Sequence, residues 1–134
     1  MSNTFSFDLV SPERLLVSRE VGMLTIPGEE GEFGVLPGHA PLVSSLRTGI
    51  ISVHDNGQLS DRIFVAGGFA EVSPERCTVL AEEAVPLSEL DRATLEADIK
   101  KLNEELLVAE GEARTVIEAR IARTGAKLAV LAGH

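Results

Sequence analysis

The chain changes character at Val85-Pro86, and that break limits the fold more than any single motif does. Before it, short runs of branched and aromatic residues are cut at brief intervals by Gly and Pro, the pattern of strands joined by tight turns. From Ser88 onward there is no proline and almost no aromatic residue, while Ala, Leu, Glu, Lys and Arg dominate, which is helix composition. The sequence therefore predicts an α+β protein: an antiparallel β-sandwich or flattened barrel over residues 1–86, then an antiparallel two-helix hairpin over 87–134. With 134 residues and 44% hydrophobic content there is enough apolar material for a real core.

Within the first part, TFSFDLV alternates strictly, with Phe5, Phe7 and Leu9 on one face, and predicts a half-buried strand. LLVSREV and GMLTIP give two more strands divided near Gly22, and PLVSSL and GIISVHD run toward Asn56-Gly57, a strong hairpin signal. QLSDRIFVA must return from it. A three-residue turn, Asp55-Asn56-Gly57, sets Val53 opposite Leu59 and is favoured over a two-residue loop, which sets Val53 against Ser60. Gly67-Gly68 then interrupts, marking a bulge or close backbone packing, and FAEVS, the Pro74-Glu75 turn and CTVLAEEAV complete the module.

The segment 27–41, PGEEGEFGVLPGHAP, reads as a long surface excursion that keeps a defined shape without regular structure, since four glycines and three prolines set its path. Glu29, Glu30 and Glu32 exclude a phosphate cradle, because their carboxylates repel the anion and no Lys-Ser/Thr pair follows. The loop suits a protein contact.

In the second part, Ser88 is placed to cap the first turn, with Asp91 three residues on in the capping-box position. Leu95, Ile99, Leu102 and Leu106 form one apolar stripe, Gly111 marks the turn, and Ile117, Ile121, Thr124, Leu128 and Leu131 form the second stripe. Small alanines between them let the helices approach. Two helices alone bury little, so the hairpin is marginally stable unless it docks.

A net charge of -9 excludes general nucleic-acid binding. The charge is uneven, however, and the end of the chain is locally basic through Arg114, Arg120, Arg123 and Lys127. Cys77 has no internal disulfide partner, fits a reducing compartment and reads as a buried small hydrophobe. His39, His54 and His134 lack metal spacing. No nucleophile elbow, triad or Walker sequence is present, so neither catalysis by this chain alone nor a bound cofactor is expected. The N-terminus lacks a signal core, and no apolar run is long enough to span a bilayer.

Gly31-Glu32-Phe33-Gly34-Val35-Leu36-Pro37-Gly38-His39-Ala40-Pro41 resembles the G-E-x-G-x-x-P-G-H-A-P segment of the ε subunit of F-type ATP synthase, whose mitochondrial counterpart is called δ. Gly67-Gly68-Phe69-Ala70-Glu71-Val72 resembles that family's G-G-x-x-E-V, and FDLVSPER, Thr78-Val79-Leu80-Ala81 and the terminal helix pair extend the likeness along the whole chain. The resemblance implies a non-catalytic central-stalk subunit at the cytoplasmic face of a bacterial inner membrane, peripheral through its complex. Its sandwich would dock on the γ subunit and the polar loops of the c-ring through Glu29, Glu30, Glu32 and His39. Its hairpin would restrain ATP hydrolysis by meeting an acidic segment of a β subunit through Arg114, Arg120, Arg123 and Lys127. Members that bind ATP carry [IL]-D-x-x-R-A at the first helix. Here Leu90-Asp91 runs directly into Arg92-Ala93, a broken motif that implies weak or absent ATP binding. The alternative is a small-ligand sandwich with the hairpin as a nucleotide-sensing lid, which the broken motif and the few aromatics disfavour.

Overall fold

The structure, a computed structural model, describes residues 3–133. Its strands are β1 (Phe5–Val10), β2 (Leu15–Val21), β3 (Met23–Gly28), β4 (Gly31–Val35), β5 (Leu42–Ser45), β6 (Gly49–Asp55), β7 (Gln58–Val72) and β8 (Arg76–Pro86). A 3-10 turn at Leu87–Glu89 leads into α1 (Arg92–Leu106) and α2 (Gly111–Gly133). The chain divides into two compact units, one ending at Pro86 and the other beginning at Leu87.

In the first unit the strands are hydrogen-bonded in the order β2-β1-β8-β7-β6-β3-β4, with β5 on the second half of β7. The sheet folds over one core in which Phe5, Phe7 and Leu9 of β1 share a cluster with Ile26, Ile51 and Val53 from the β3 and β6 side. Burying each of these side chains contributes about 1.5–3 kcal/mol, and this is the main stabilising force of the unit. The sandwich is not purely antiparallel. β1 runs parallel to β8, with Phe7 opposite Cys77 and Leu9 opposite Val79. All of β2 to β7 lies between these two strands, so no tight turn dictates their relative direction.

Further expectations are corrected. The segment after Pro27 is largely regular: β3 and β4 form a hairpin in which Gly28 pairs with Gly31, Glu29 and Glu30 make the turn, and only residues 36–41 form a loop. The β6–β7 turn is a two-residue loop closed by Asp55 and Gln58, with Asn56 at φ 53° and Gly57 at φ 77°, the primed geometry that matches strand twist. An extra residue then enters the ladder, so Val53 faces Asp61 and neither Leu59 nor Ser60; the Ser60 hydroxyl sits 3.2 Å from the Val53 carbonyl instead.

Gly67-Gly68 does not end a strand. β7 runs through it, pairing with β6 before the pair and β5 after it while staying in register with β8 throughout. The inward residues of β7 are Ile63 and Val65 before the glycines but Ala70 and Val72 after them, and β8 changes phase opposite, from Ala84 to Ala81. With φ at 69° and 101°, the two glycines let the ribbon turn its other face to the core. A Cβ at Gly68 would collide with the Leu80 carbonyl oxygen.

The seams are fastened by polar contacts. Arg19 of β2 reaches Asp55 at 3.0 Å and Asp61 at 3.7 Å, and hydrogen bonds from Ser60 and then Arg19 hold the Asp55 carboxyl below its ordinary pKa. At the other seam the Arg47 N–H donates to the Pro27 carbonyl at 2.9 Å.

In the second unit the non-exposed face of α1 is Leu95, Ile99, Leu102 and Leu106, and Ile117, Ile121, Thr124, Leu128 and Leu131 are all half-buried on α2, which packs against it. The cap differs from expectation. Residues 87–89 form the 3-10 turn, so α1 starts later and its N-cap is Asp91, not Ser88.

Two alanine substitutions separate backbone strain from collision. Gly57→Ala, in open space, is expected to lower unfolding free energy by about 1 kcal/mol, the cost of a left-handed Cβ. Gly68→Ala, which adds a clash with fixed backbone, is expected to cost at least about 3 kcal/mol in urea titrations.

Candidate functional site

The β3–β4 tip carries three of the four residues singled out for a protein contact. Glu29 and Glu30 occupy the turn, and Glu32 points outward from β4, whose alternation buries Val35 and leaves Glu32 and Gly34 exposed. The tip is fixed rather than loose. The Glu29 N–H donates to the Ser45 carbonyl at 2.9 Å, and Arg47 Nε donates to the Gly28 carbonyl at 3.4 Å. Glu29, Glu30, Glu32, Phe33, Leu42 and Val43 line an open cleft of about 550 Å³ between the tip and β5.

His39 lies outside that cleft. It is half-buried in the loop after β4, where its Nδ1 donates to its neighbour's carbonyl, that of Ala40, at 2.6 Å. The Gly38 N–H, donating to the Pro74 carbonyl at 2.8 Å, ties this loop to the β7–β8 turn. The imidazole thus supports loop shape.

The sequence reading missed an apolar row on the outer face of the sheet. Leu15 pairs with Val10, Val10 with Leu80, Leu80 with Phe69 and Phe69 with Ser45, so one line of side chains crosses five adjacent strands. Leu15 is 58% exposed, Leu80 40% and Phe69 41%. Elsewhere the same face is polar and self-satisfied: Arg76 pairs with Asp8 at 2.6 Å, Ser18 donates to Asp8 at 2.7 Å and Ser6 to Glu20 at 2.7 Å. The row ends at Ser45, whose carbonyl holds Glu29, so apolar line and acidic tip form one continuous surface. The available signal was phase, since Leu80 and Phe69 occupy outward positions of their strands once Val79 and Ala70 are known to point inward.

On the second unit, Leu90, Asp91, Arg92 and Ala93 form a helix start. Asp91 accepts hydrogen bonds from the Thr94 hydroxyl at 2.7 Å and the Thr94 N–H at 3.0 Å, and these hold its carboxyl below the ordinary carboxylate range. Arg114, Arg120, Arg123 and Lys127 all lie on α2 but do not act as one group. Arg114 donates to the Leu106 carbonyl at 3.3 Å and sits 3.9 Å from Glu118; Arg120 is exposed; Arg123 and Lys127 are half-buried and each already engaged. Cys77 is buried, and desolvation pushes its thiol up to about 12. His134 lies outside the described residues. Among the described residues no group of His, Cys, Asp and Glu is arranged to hold a metal, and no helix is long and apolar enough to cross a membrane.

These features define a class: a sheet-built module followed by a helical hairpin. Residues 4–87 match the family described as "ATP synthase, Delta/Epsilon chain, beta-sandwich domain". The chain is 51% identical to the ATP synthase epsilon chain of Rhodospirillum centenum, with 100% of this chain and 96% of that protein covered. It is 50% identical to the epsilon chain of Rhodospirillum rubrum over 84% of each. Among solved structures it is similar to a chain of the Euglena gracilis mitochondrial ATP synthase OSCP/F1/c-ring assembly, with a TM-score of 0.74 and 28% identity, covering 100% of this chain and 84% of that one. The chain belongs to the ATP synthase epsilon-chain family, as its loop and double-glycine motifs implied.

The Asp91 cap sets a pH dependence. Its folded pKa is depressed, so its contribution to helix stability is complete above the ordinary carboxylate value of about 4 and is lost as pH falls through the lower folded value. Far-UV circular dichroism during acid titration is expected to show helical signal falling in that window. In Asp91→Ala the signal should start lower and that component of the acid response should disappear.

Proposed function

We propose that this chain is the non-catalytic central-stalk subunit of a proton-translocating F-type ATP synthase, held between the γ subunit and the polar loops of the c-ring. The observation that carries this reading is the continuous surface of apolar row and acidic tip. A row of partly exposed Leu and Phe side chains on an otherwise self-satisfied polar face is suited to a large, stable protein contact. Covering it with γ removes apolar area from water at about 25 cal/mol per Å². The tip, fastened by backbone hydrogen bonds, presents Glu29, Glu30 and Glu32 to the c-ring loops without giving way under load, and the His39 loop beside it contributes shape. The names of the curated relatives and the c-ring assembly of the Euglena enzyme support the same reading.

The hairpin is the regulatory part. Its exposed Arg120 suits an acidic segment of a β subunit, a contact that would restrain ATP hydrolysis, and its broken nucleotide motif leaves ATP binding weak or absent. The subunit is peripheral, attached to the cytoplasmic face of a bacterial inner membrane through its complex.

Purified chain and γ are expected to elute together from a sizing column; separate elution would sink the proposal. Phe69→Glu, at an exposed position where the fold tolerates charge, is expected to weaken that complex about thirtyfold by setting a carboxylate within an apolar contact. Removing residues 88–134 should leave γ binding intact and raise ATP hydrolysis by the assembled complex. Unchanged hydrolysis would mean that the hairpin does not restrain it.

A further inference from the structure

The turn between the helices is built unlike an ordinary turn. Leu107 and Val108 are 85% and 84% exposed, more than the other exposed large hydrophobics among the described residues. Neither belongs to the stripe of Leu95, Ile99, Leu102 and Leu106, because one residue past Leu106 lies about 100° further round the helix. Turns normally carry Gly, Pro, Asn, Asp or Ser, each with a conformational reason, and a Leu-Val pair supplies none of these. The pair is also held in shape. The N–H groups of Leu107 and Val108 donate to the Glu104 and Glu105 carbonyls at 3.3 Å, and Ala109 donates to Leu106 at 3.4 Å.

The charged residues that flank this knob are mostly acidic, and the one guanidinium beside it, that of Arg114 on the Leu106 carbonyl, is shared with Glu118. Glu104 and Glu105 stand in the last turn of α1, where the helix already presents its negative end and where cations are favoured; that turn has no basic residue. Glu110 and Glu112 follow on the other side. Arg114, the next basic residue along the chain, is engaged with the Leu106 carbonyl and Glu118. Four carboxylates against one shared guanidinium leave the tip net negative, which suits an external cation.

We infer that the tip of the hairpin is a docking knob, Leu107-Val108 ringed by Glu104, Glu105, Glu110 and Glu112, that seats in an apolar pocket rimmed by Lys or Arg on a neighbouring protein subunit. Charge complementarity selects that occupant. Phosphate-bearing partners, whether lipid headgroups or nucleic acid, are repelled by the ring, and so is a like-charged tip of a second copy. The pre-set shape of the turn limits the ordering cost of binding. This inference rests on the proposed function, since it needs the assembled F1 complex to supply the pocket.

Val108→Cys gives a single labelling site, because Cys77 is buried and its thiol is not ionised at neutral pH. The full-length variant carries a polarity-sensitive fluorophore and is mixed with the purified catalytic head containing γ, while co-elution reports assembly separately. Assembly is expected to cut acrylamide quenching of the label several-fold and shift its emission to the blue. Glu104→Gln combined with Glu105→Gln should reverse most of that change without loss of helical signal, and Leu107→Ser should weaken protection about fivefold or more. Assembly with a fully quenchable label overturns the inference. So does protection indifferent to the two Gln substitutions, or protection already present in the isolated chain through self-association. Failure to co-elute at all overturns the proposed function, and with it this inference.

Discussion

The arrangement of the sheet unit depends on the contact between Gly68 and the Leu80 carbonyl, where two backbones approach more closely than any side chain permits. The double glycine lets β7 keep one ladder with β8 while changing both its other neighbour and the face it turns to the core. Ile63 and Val65 fill the core on one side of that point, and Ala70 and Val72 do so on the other. The same inversion sends Phe69 and Leu80 outward, so the geometry that joins the layers also builds the exposed row.

Polar contacts have a different task. Arg19 with Asp55 and Asp61, and Arg76 with Asp8, are partly exposed pairs, each worth about 0–1 kcal/mol. They add little beside the apolar cluster. Their effect is to fasten β2 to the β6–β7 hairpin and to satisfy the polar part of the outer face, which leaves the apolar row as its unsatisfied feature. Backbone bonds do the corresponding work at the acidic tip, where the Glu29 N–H joins the β3–β4 turn to Ser45 of β5 and the Arg47 N–H joins the segment after β5 to Pro27 of β3.

The helical unit is held differently. Among its described residues only Leu87 and Leu95 are buried, and α2 has no buried residue over its 23 positions. A helix that covers so little of its apolar face draws little stability from packing, which suits a segment proposed to act by changing neighbours. Arg114 contributes within the hairpin by binding the Leu106 carbonyl at the end of α1, and this removes it from the cations available to an acidic partner.

Local pattern was enough to read much of this from the residues. The alternation of Phe5, Phe7 and Leu9, the stripe from Leu95 to Leu106 and the composition break at Pro86 each follow from side-chain periodicity, a property of the chain alone. Glu29, Glu30 and Glu32 were read as exposed for a different local reason, the Gly- and Pro-rich composition of the segment that carries them. The parallel β1–β8 pair, the passage of β7 through Gly67-Gly68, the offset that sets Val53 against Asp61, and the row from Leu15 to Phe69 were not legible. Each depends on which distant strand supplies the hydrogen bonds, and a strand shows its two faces only once a partner fixes which one is inward. The sequence determined most of the elements, the family and the acidic stretch; the tertiary structure decided the β3–β4 hairpin, register, facing and the continuous surface, because those arise from strand pairing, most of it long-range, that no single run of residues encodes.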